Sequence, residues 1–147
     1  MNNEFDIVIN VESAHNYPSL PRFLSEVHRV LKPGGYFSWT DAMTKERHRL
    51  FLEAKASSTL KWVVSEDISE LVRTAIRKRI YKKNVGKNVK LPSANSLLER
   101  LFVKPIWMIF LGAQFVDHKF DPISRMILNT APTFDIATYD YALGQKQ

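Results

Sequence analysis

At 147 residues, with 45% hydrophobic and 12% aromatic content, the chain has apolar material for one modest globular domain, which excludes a disordered or low-complexity polypeptide. It has no cysteine, which excludes a disulfide framework, a thiolate metal site and a thiol nucleophile. The net charge of +6 is concentrated: residues 45 to 90 hold thirteen Lys or Arg against five Asp or Glu, so the remainder is slightly acidic.

Phe5 to Val11 is rich in β-branched residues (Ile7, Val8, Ile9, Val11) and reads as a strand buried on both faces, hence a central strand of a parallel sheet. Ser13 to Pro18 is polar and turn-forming. Ser19 is placed to cap a helix in which Leu20, Phe23, Leu24, Val27, Val30 and Leu31 recur at helical spacing. Lys32-Pro33-Gly34-Gly35 ends that helix: the cation suits the negative helix end, proline cannot continue the ladder, and glycine accepts a left-handed conformation. Tyr36 to Thr40 follows as a second strand closed by Asp41. A right-handed crossover between parallel strands sets the polar residues at their carboxyl ends along one sheet edge, where Glu12, Ser13, His15 and Asp41 all fall.

Thr44 to Ser57 reads as a helix, Leu60 to Ser65 as a short strand, and Ile68 to Lys83 as a helix with an apolar stripe of Ile68, Leu71, Val72, Ala75, Ile76 and Ile80. Asn84 to Ser93 reads as a loop, Ala94 to Phe102 as a short helix and Ile106 to Val116 as a helix with Pro105 near its start. Thr133 to Gln145 is the last strand candidate. Within one domain this gives a strand-helix-strand core (1–43), a helix-strand-helix part (44–83), a helical insertion (84–132) and a final strand (133–147).

The combination of F-D-x-V at Phe5-Asp6-Ile7-Val8, E-S-x-H at Glu12-Ser13-Ala14-His15, and FLxEVxRVLKPGG from Phe23 through Gly35 resembles the fourth and fifth strands of the class I methyltransferases that use S-adenosylmethionine. The E-S-x-H version is similar to the small-molecule branch, which includes sugar O-methyltransferases and, less closely, sterol C-methyltransferases. The resemblance implies an α/β fold: the C-terminal half of a Rossmann-like sheet, strands 4 to 7 with flanking helices, and a helical insertion over the substrate before a final antiparallel strand. Such enzymes place a glycine-rich loop after their first strand and an acidic residue after the second. None of the five glycines here stands in a Gly-x-Gly arrangement. The expectation is therefore a truncated chain, ranked ahead of a split or degenerate one because Met1 lies almost at a strand, and a chain that binds no cofactor alone.

Methyl transfer to oxygen needs a base for the acceptor's proton and an in-line geometry. In similar sugar O-methyltransferases a histidine and an aspartate at matching positions serve as base and partner, which implies His15 and Asp41 as the catalytic pair. The competing assignment has His15 capping a loop and Asp41 capping the next helix. The resemblance places Asn10, Val11 and Glu12 beside the cofactor, with backbone contact ahead of side-chain chemistry. Glu12, Tyr17 and Trp107 are candidates for the substrate, and Trp39 for a pocket wall. His28, His48 and His118 have no companions at metal spacing, so no metal site is expected.

Other partners follow from charge and hydropathy. Arg73, Arg77, Lys78, Arg79, Lys82, Lys83, Lys87 and Lys90 form a basic surface, read first as a solvated face because no aromatic stacking motif accompanies it; RNA or an anionic membrane surface are the alternatives. The apolar run Leu101 to Phe115 is broken by Lys104 and Pro105 and falls short of the roughly 20 residues that cross a bilayer. The opening MNNEFD lacks the regions of a secretory signal, and a cytoplasmic location is the expectation. The non-enzymatic alternative is a half-domain whose sheet is completed by another chain.

Overall fold

The structure, a computed structural model, describes residues 2–81, 115–116 and 136–147. They fall into two compact units, Met1–Ser69 with Ala137–Gln147, and Glu70–Ile136.

The first unit is α/β. Its strands are β1 (Phe5–Val11), β2 (Leu31–Met43), β3 (Leu60–Asp67) and β4 (Thr138–Lys146), and its helices are α1 (Leu20–Val30) and α2 (Lys45–Ser57). The sheet order is β1-β2-β4-β3, with β1 and β2 parallel and β4 antiparallel to both β2 and β3. The last strand thus inserts between two strands that precede it by many residues.

In this sheet β1 is an edge strand, which corrects its expected central position. Phe5, Ile7, Ile9 and Val11 alternate onto one face and are 50%, 59%, 69% and 58% exposed, while Val8 and Asn10 point to the core side. β-branched composition reports that both faces of the strand are apolar; it does not report what lies against them.

α1 forms where its spacing predicts. Ser19 Oγ accepts from the Arg22 amide at 3.4 Å, Pro21 stands in the first turn, and Leu20, Leu24 and Val27 are buried. The Lys-Pro-Gly-Gly stop is correctly located but lies inside β2, which starts earlier and ends later than expected. Leu31 already pairs with Phe5, and the register slips before Ile7 pairs with Tyr36, so the four stop residues form the irregularity. Gly34 has φ 80, and a Cβ on Gly35 would stand 2.9 Å from Lys32 O and 3.0 Å from Asp6 O. Lys32 reaches across to Asp6, donating to both carboxylate oxygens at 2.9 Å and holding that carboxyl below its usual range. The carbonyl end of α1 is instead met by Lys146, whose ammonium donates to His28 O at 2.7 Å, Leu31 O at 2.9 Å and Asn3 Oδ1 at 2.7 Å.

α1 and α2 cover one face of the sheet. Leu24, Val27, Phe51 and Ala54 pack with Phe37, Trp39, Met43 and Ala142. Trp39, a candidate pocket wall from sequence, is fully buried and stacks on Phe51 at 3.9 Å, so it belongs to the core. Phe37 joins this stack to the loop through edge contacts with Phe23, which in turn meets Tyr17 at 4.8 Å.

In the second unit α3 (Ser69–Tyr81) realises the helix expected from Ile68, but its stripe is incomplete: Leu71 is 70% exposed. Arg73 lies 4.4 Å from the Phe115 ring, donates to Phe115 O at 3.2 Å and to Glu70 at 2.6 Å, so one member of the basic surface is engaged locally. Lys82, Lys83, Lys87, Lys90, Trp107 and the insertion 84–132, apart from Phe115 and Val116, lie outside the described residues. Among the described residues no helix is long and apolar enough to cross a membrane.

Candidate active site

The site is built where β1 and β2 end side by side. Beyond Val11 the chain turns sharply: Glu12 takes φ 47, a left-handed conformation uncommon for a residue with a side chain, and its amide donates to Thr40 O at 2.9 Å. A single 3-10 turn, Ala14–Asn16, then carries His15 over the end of β2.

Asp41 receives His15 twice. The His15 backbone amide donates to Oδ2 at 3.0 Å, and ring Nδ1 stands 2.6 Å from Oδ1, which also accepts from the Ala42 amide at 2.9 Å. Asp41 is fully buried, whereas the His15 side chain is 33% exposed. A carboxylate against Nδ1 keeps the proton on that nitrogen and leaves Nε2 as an acceptor, the arrangement a neutral imidazole base requires. The helix cap is a different residue: Thr44 Oγ1 accepts from the Arg47 amide at 3.2 Å and starts α2. Asp41 is therefore not the cap of the following helix.

The expected cofactor residues divide. Val11 and Glu12 are exposed at the strand end, but Asn10 is only 6% exposed and turns its side chain into the loop. Asn10 Nδ2 donates to Ser13 Oγ at 2.7 Å and approaches Tyr17 OH at 3.3 Å; Ser13 Oγ and Tyr17 OH are 3.2 Å apart. Asn10 Oδ1 is buried without a partner. Tyr17 is half-buried at the foot of the same loop, and Trp107 lies outside the described residues.

Two features escaped the sequence reading. Arg47 Nη2 donates to Ala14 O at 2.7 Å and Tyr17 O at 2.9 Å, gripping the His15 loop from α2. Asp140 on β4 is the cross-strand partner of Asp41, and His48 Nε2 stands 3.5 Å from it. The only local signal was the regular spacing of Asp41, Thr44 and Arg47. Among the described residues no group of three or more His, Asp or Glu is disposed to hold a metal ion.

A family model described as a methyltransferase domain matches residues 1–39. The phthiotriol/phenolphthiotriol dimycocerosates methyltransferase of Mycobacterium leprae (strain TN) is 30% identical over 126 residues, 86% of this chain and 42% of that protein. The fatty-acid O-methyltransferase of Mycolicibacterium smegmatis (strain ATCC 700084 / mc(2)155) is 46% identical over 70 residues, 47% of this chain and 26% of that protein. The chain thus spans less than half the length of these curated relatives. Among solved structures, the geranyl diphosphate C-methyltransferase from Streptomyces coelicolor A3(2), crystallised with Mg2+, geranyl diphosphate and S-adenosyl-L-homocysteine, shares the fold with a TM-score of 0.55 at 15% identity, over 99% of this chain and 48% of that one. In its matched family model, its relatives and its fold, the chain is similar to the class I S-adenosylmethionine-dependent methyltransferases.

Proposed function

We propose that this chain carries the acceptor side of a methyltransferase site that methylates a hydroxyl of a small molecule, with His15 as the general base and Asp41 as its partner. The observation that carries the reading is the two-point contact between these residues, with Asp41 buried and the His15 side chain partly exposed. S-adenosylmethionine, when bound, supplies an electrophilic methyl group on a sulfonium. His15 Nε2 takes the proton of the acceptor hydroxyl as its oxygen becomes the nucleophile, and Asp41 stabilises the imidazolium that results. Val11 and Glu12, exposed beside a strained turn, fit contact with the cofactor; Asn10 would take part through its backbone, because its amide is committed to Ser13 and Tyr17. Glu12, Tyr17 and Trp107 are assigned to the substrate. Likeness to a fatty-acid O-methyltransferase supports an oxygen acceptor on an apolar molecule.

The test is His15→Ala in a methyl-transferring protein that contains these residues. Turnover should fall by about 100-fold or more with cofactor affinity unchanged. Equal loss of both, or undiminished turnover, rejects the base role. The 147-residue chain alone, whose five glycines include no Gly-x-Gly, should show no cofactor binding by calorimetry; a micromolar dissociation constant would overturn this.

A second reading, a non-enzymatic half-domain that pairs with another chain, is favoured by one observation: β1 is an edge strand whose outer face is apolar and exposed.

A further inference from the structure

We propose that Arg47 is a positioning residue for His15, clamping the loop that carries the imidazole; this rests on the reading of His15 as the base. The backbone of the loop has few bonds of its own. Its local bonds are Asn16 N to Ser13 O and Tyr17 N to Ala14 O, both at 3.1 Å, which close a single 3-10 turn. Asp41 fixes the imidazole and the amide of one residue in that turn, and Asn10 ties the side chains of Ser13 and Tyr17 at its two ends, but neither contact holds the backbone carbonyls of the turn.

Arg47 adds a restraint on the backbone itself. One nitrogen, Nη2, donates to the carbonyls at both ends of the turn, Ala14 O and Tyr17 O, thirty-three and thirty residues away in sequence. The side chain is half-buried, its Nε is buried without a hydrogen-bond partner, and no carboxylate among the described residues forms an ion pair with it. A guanidinium so placed directs its charge at backbone oxygens, where charge-assisted hydrogen bonds are stronger than neutral ones.

The origin of the clamp is a single stretch, Asp41 to Arg47. Asp41 follows the last β1–β2 pair, Val11 with Thr40, and holds the ring. Three residues on, Thr44 accepts from the Arg47 amide and fixes the first turn of α2. Three further on, Arg47 leaves that first turn toward the loop. Ring and loop are thereby set by one rigid junction between β2 and α2, so the position of Nε2 depends on both. Losing Asp41 frees the imidazole within a held loop; losing Arg47 frees the loop with the imidazole still bonded.

The test uses the isotopically labelled 147-residue chain and reads amide hydrogen exchange together with the downfield His15 Nδ1–H proton resonance. In Arg47→Gln the His15 and Tyr17 amides should exchange about tenfold faster or more, and the Nδ1–H resonance should broaden, while the β2–β4 ladder keeps its protection. Arg47→Lys, which retains a charged donor, should restore the resonance in part. Wild-type exchange and resonance in a folded Arg47→Gln variant would overturn the proposal. So would loss of ladder protection together with the loop, which would make Arg47 a determinant of the whole fold. Neither readout involves turnover, so the clamp and the base role of His15 succeed or fail separately.

Discussion

Asp41 on β2 and Asp140 on β4 stand directly opposite one another in the sheet, and each carboxylate faces a histidine: His15 Nδ1 at 2.6 Å from the first, His48 Nε2 at 3.5 Å from the second. Directly opposed residues share a face, and like charges there repel. Asp41 is held by three N–H groups, Asp140 by the Thr138 hydroxyl at 2.8 Å and the longer histidine contact. Asp140→Asn removes the repulsion and keeps an acceptor for Thr138. It should raise the melting temperature, corresponding to about 0.2–1 kcal/mol. A lower melting temperature would show that the attraction between Asp140 and His48 is the larger effect.

His28 gives a pH dependence with a defined sign. Its imidazole lies below its ordinary value of 6.5, first through burial and then through the neighbouring Lys146 ammonium. As pH falls through 6.5 the unfolded chain takes up this proton before the folded one does, so stability declines until the lower folded value is passed. Acidification from pH 7 into the range just below 6 should therefore lower the melting temperature, and by less in His28→Gln, which keeps the backbone carbonyl that Lys146 uses. Parallel curves for the two proteins would refute the assignment.

The two glycines of the stop should respond differently. At Gly35 an added methyl meets two backbone oxygens that cannot move aside, so Gly35→Ala should cost about 2 kcal/mol or more. At Gly34 the space is open and only the positive φ is penalised, so Gly34→Ala should cost about 1–2 kcal/mol. Urea denaturation with unchanged slope checks both; a reversed order would mean that the loop relaxes around the Gly35 methyl.

The bare side of β1 should make the 147-residue chain self-associate. Ile7 and Ile9 sit on it, and of the strand's own residues only Asp6 carries a charge that discourages edge pairing. Sedimentation should find oligomers of the wild-type chain at high micromolar concentration and a monomer for Ile7→Lys/Ile9→Lys. A monomeric wild type would contradict this.

What could be read without coordinates was what local chemistry determines. The Ser19 cap and the leucine and valine spacing located α1, a β-branched run located β1, and family resemblance pointed to a last strand within Thr133 to Gln145, where β4 runs from Thr138 to Lys146. His15 and Asp41 were legible because adjacent parallel strands must end at one edge. The edge position of β1 was not, since it depends on which strands are present beside it. Nor were Asp140 and Arg47: the first is a consequence of register, fixed only when β4 inserts between β2 and β3, and the second of a side chain crossing thirty-three residues of sequence to a carbonyl. Trp39 could be read from sequence as a pocket wall or, more often for such an aromatic, as core; it lies two residues from Asp41 on the same face of β2, and its stacking on Phe51 places it in the core.

One ammonium group, on Lys146, binds the residue Asn3 that leads into β1, the tail of α1 and the entrance of β2 at the same point. The chain's last two residues are consequently unequal. Gln147 is exposed, whereas loss of Lys146 would remove a donor from Asn3, His28 and Leu31 and loosen three elements together.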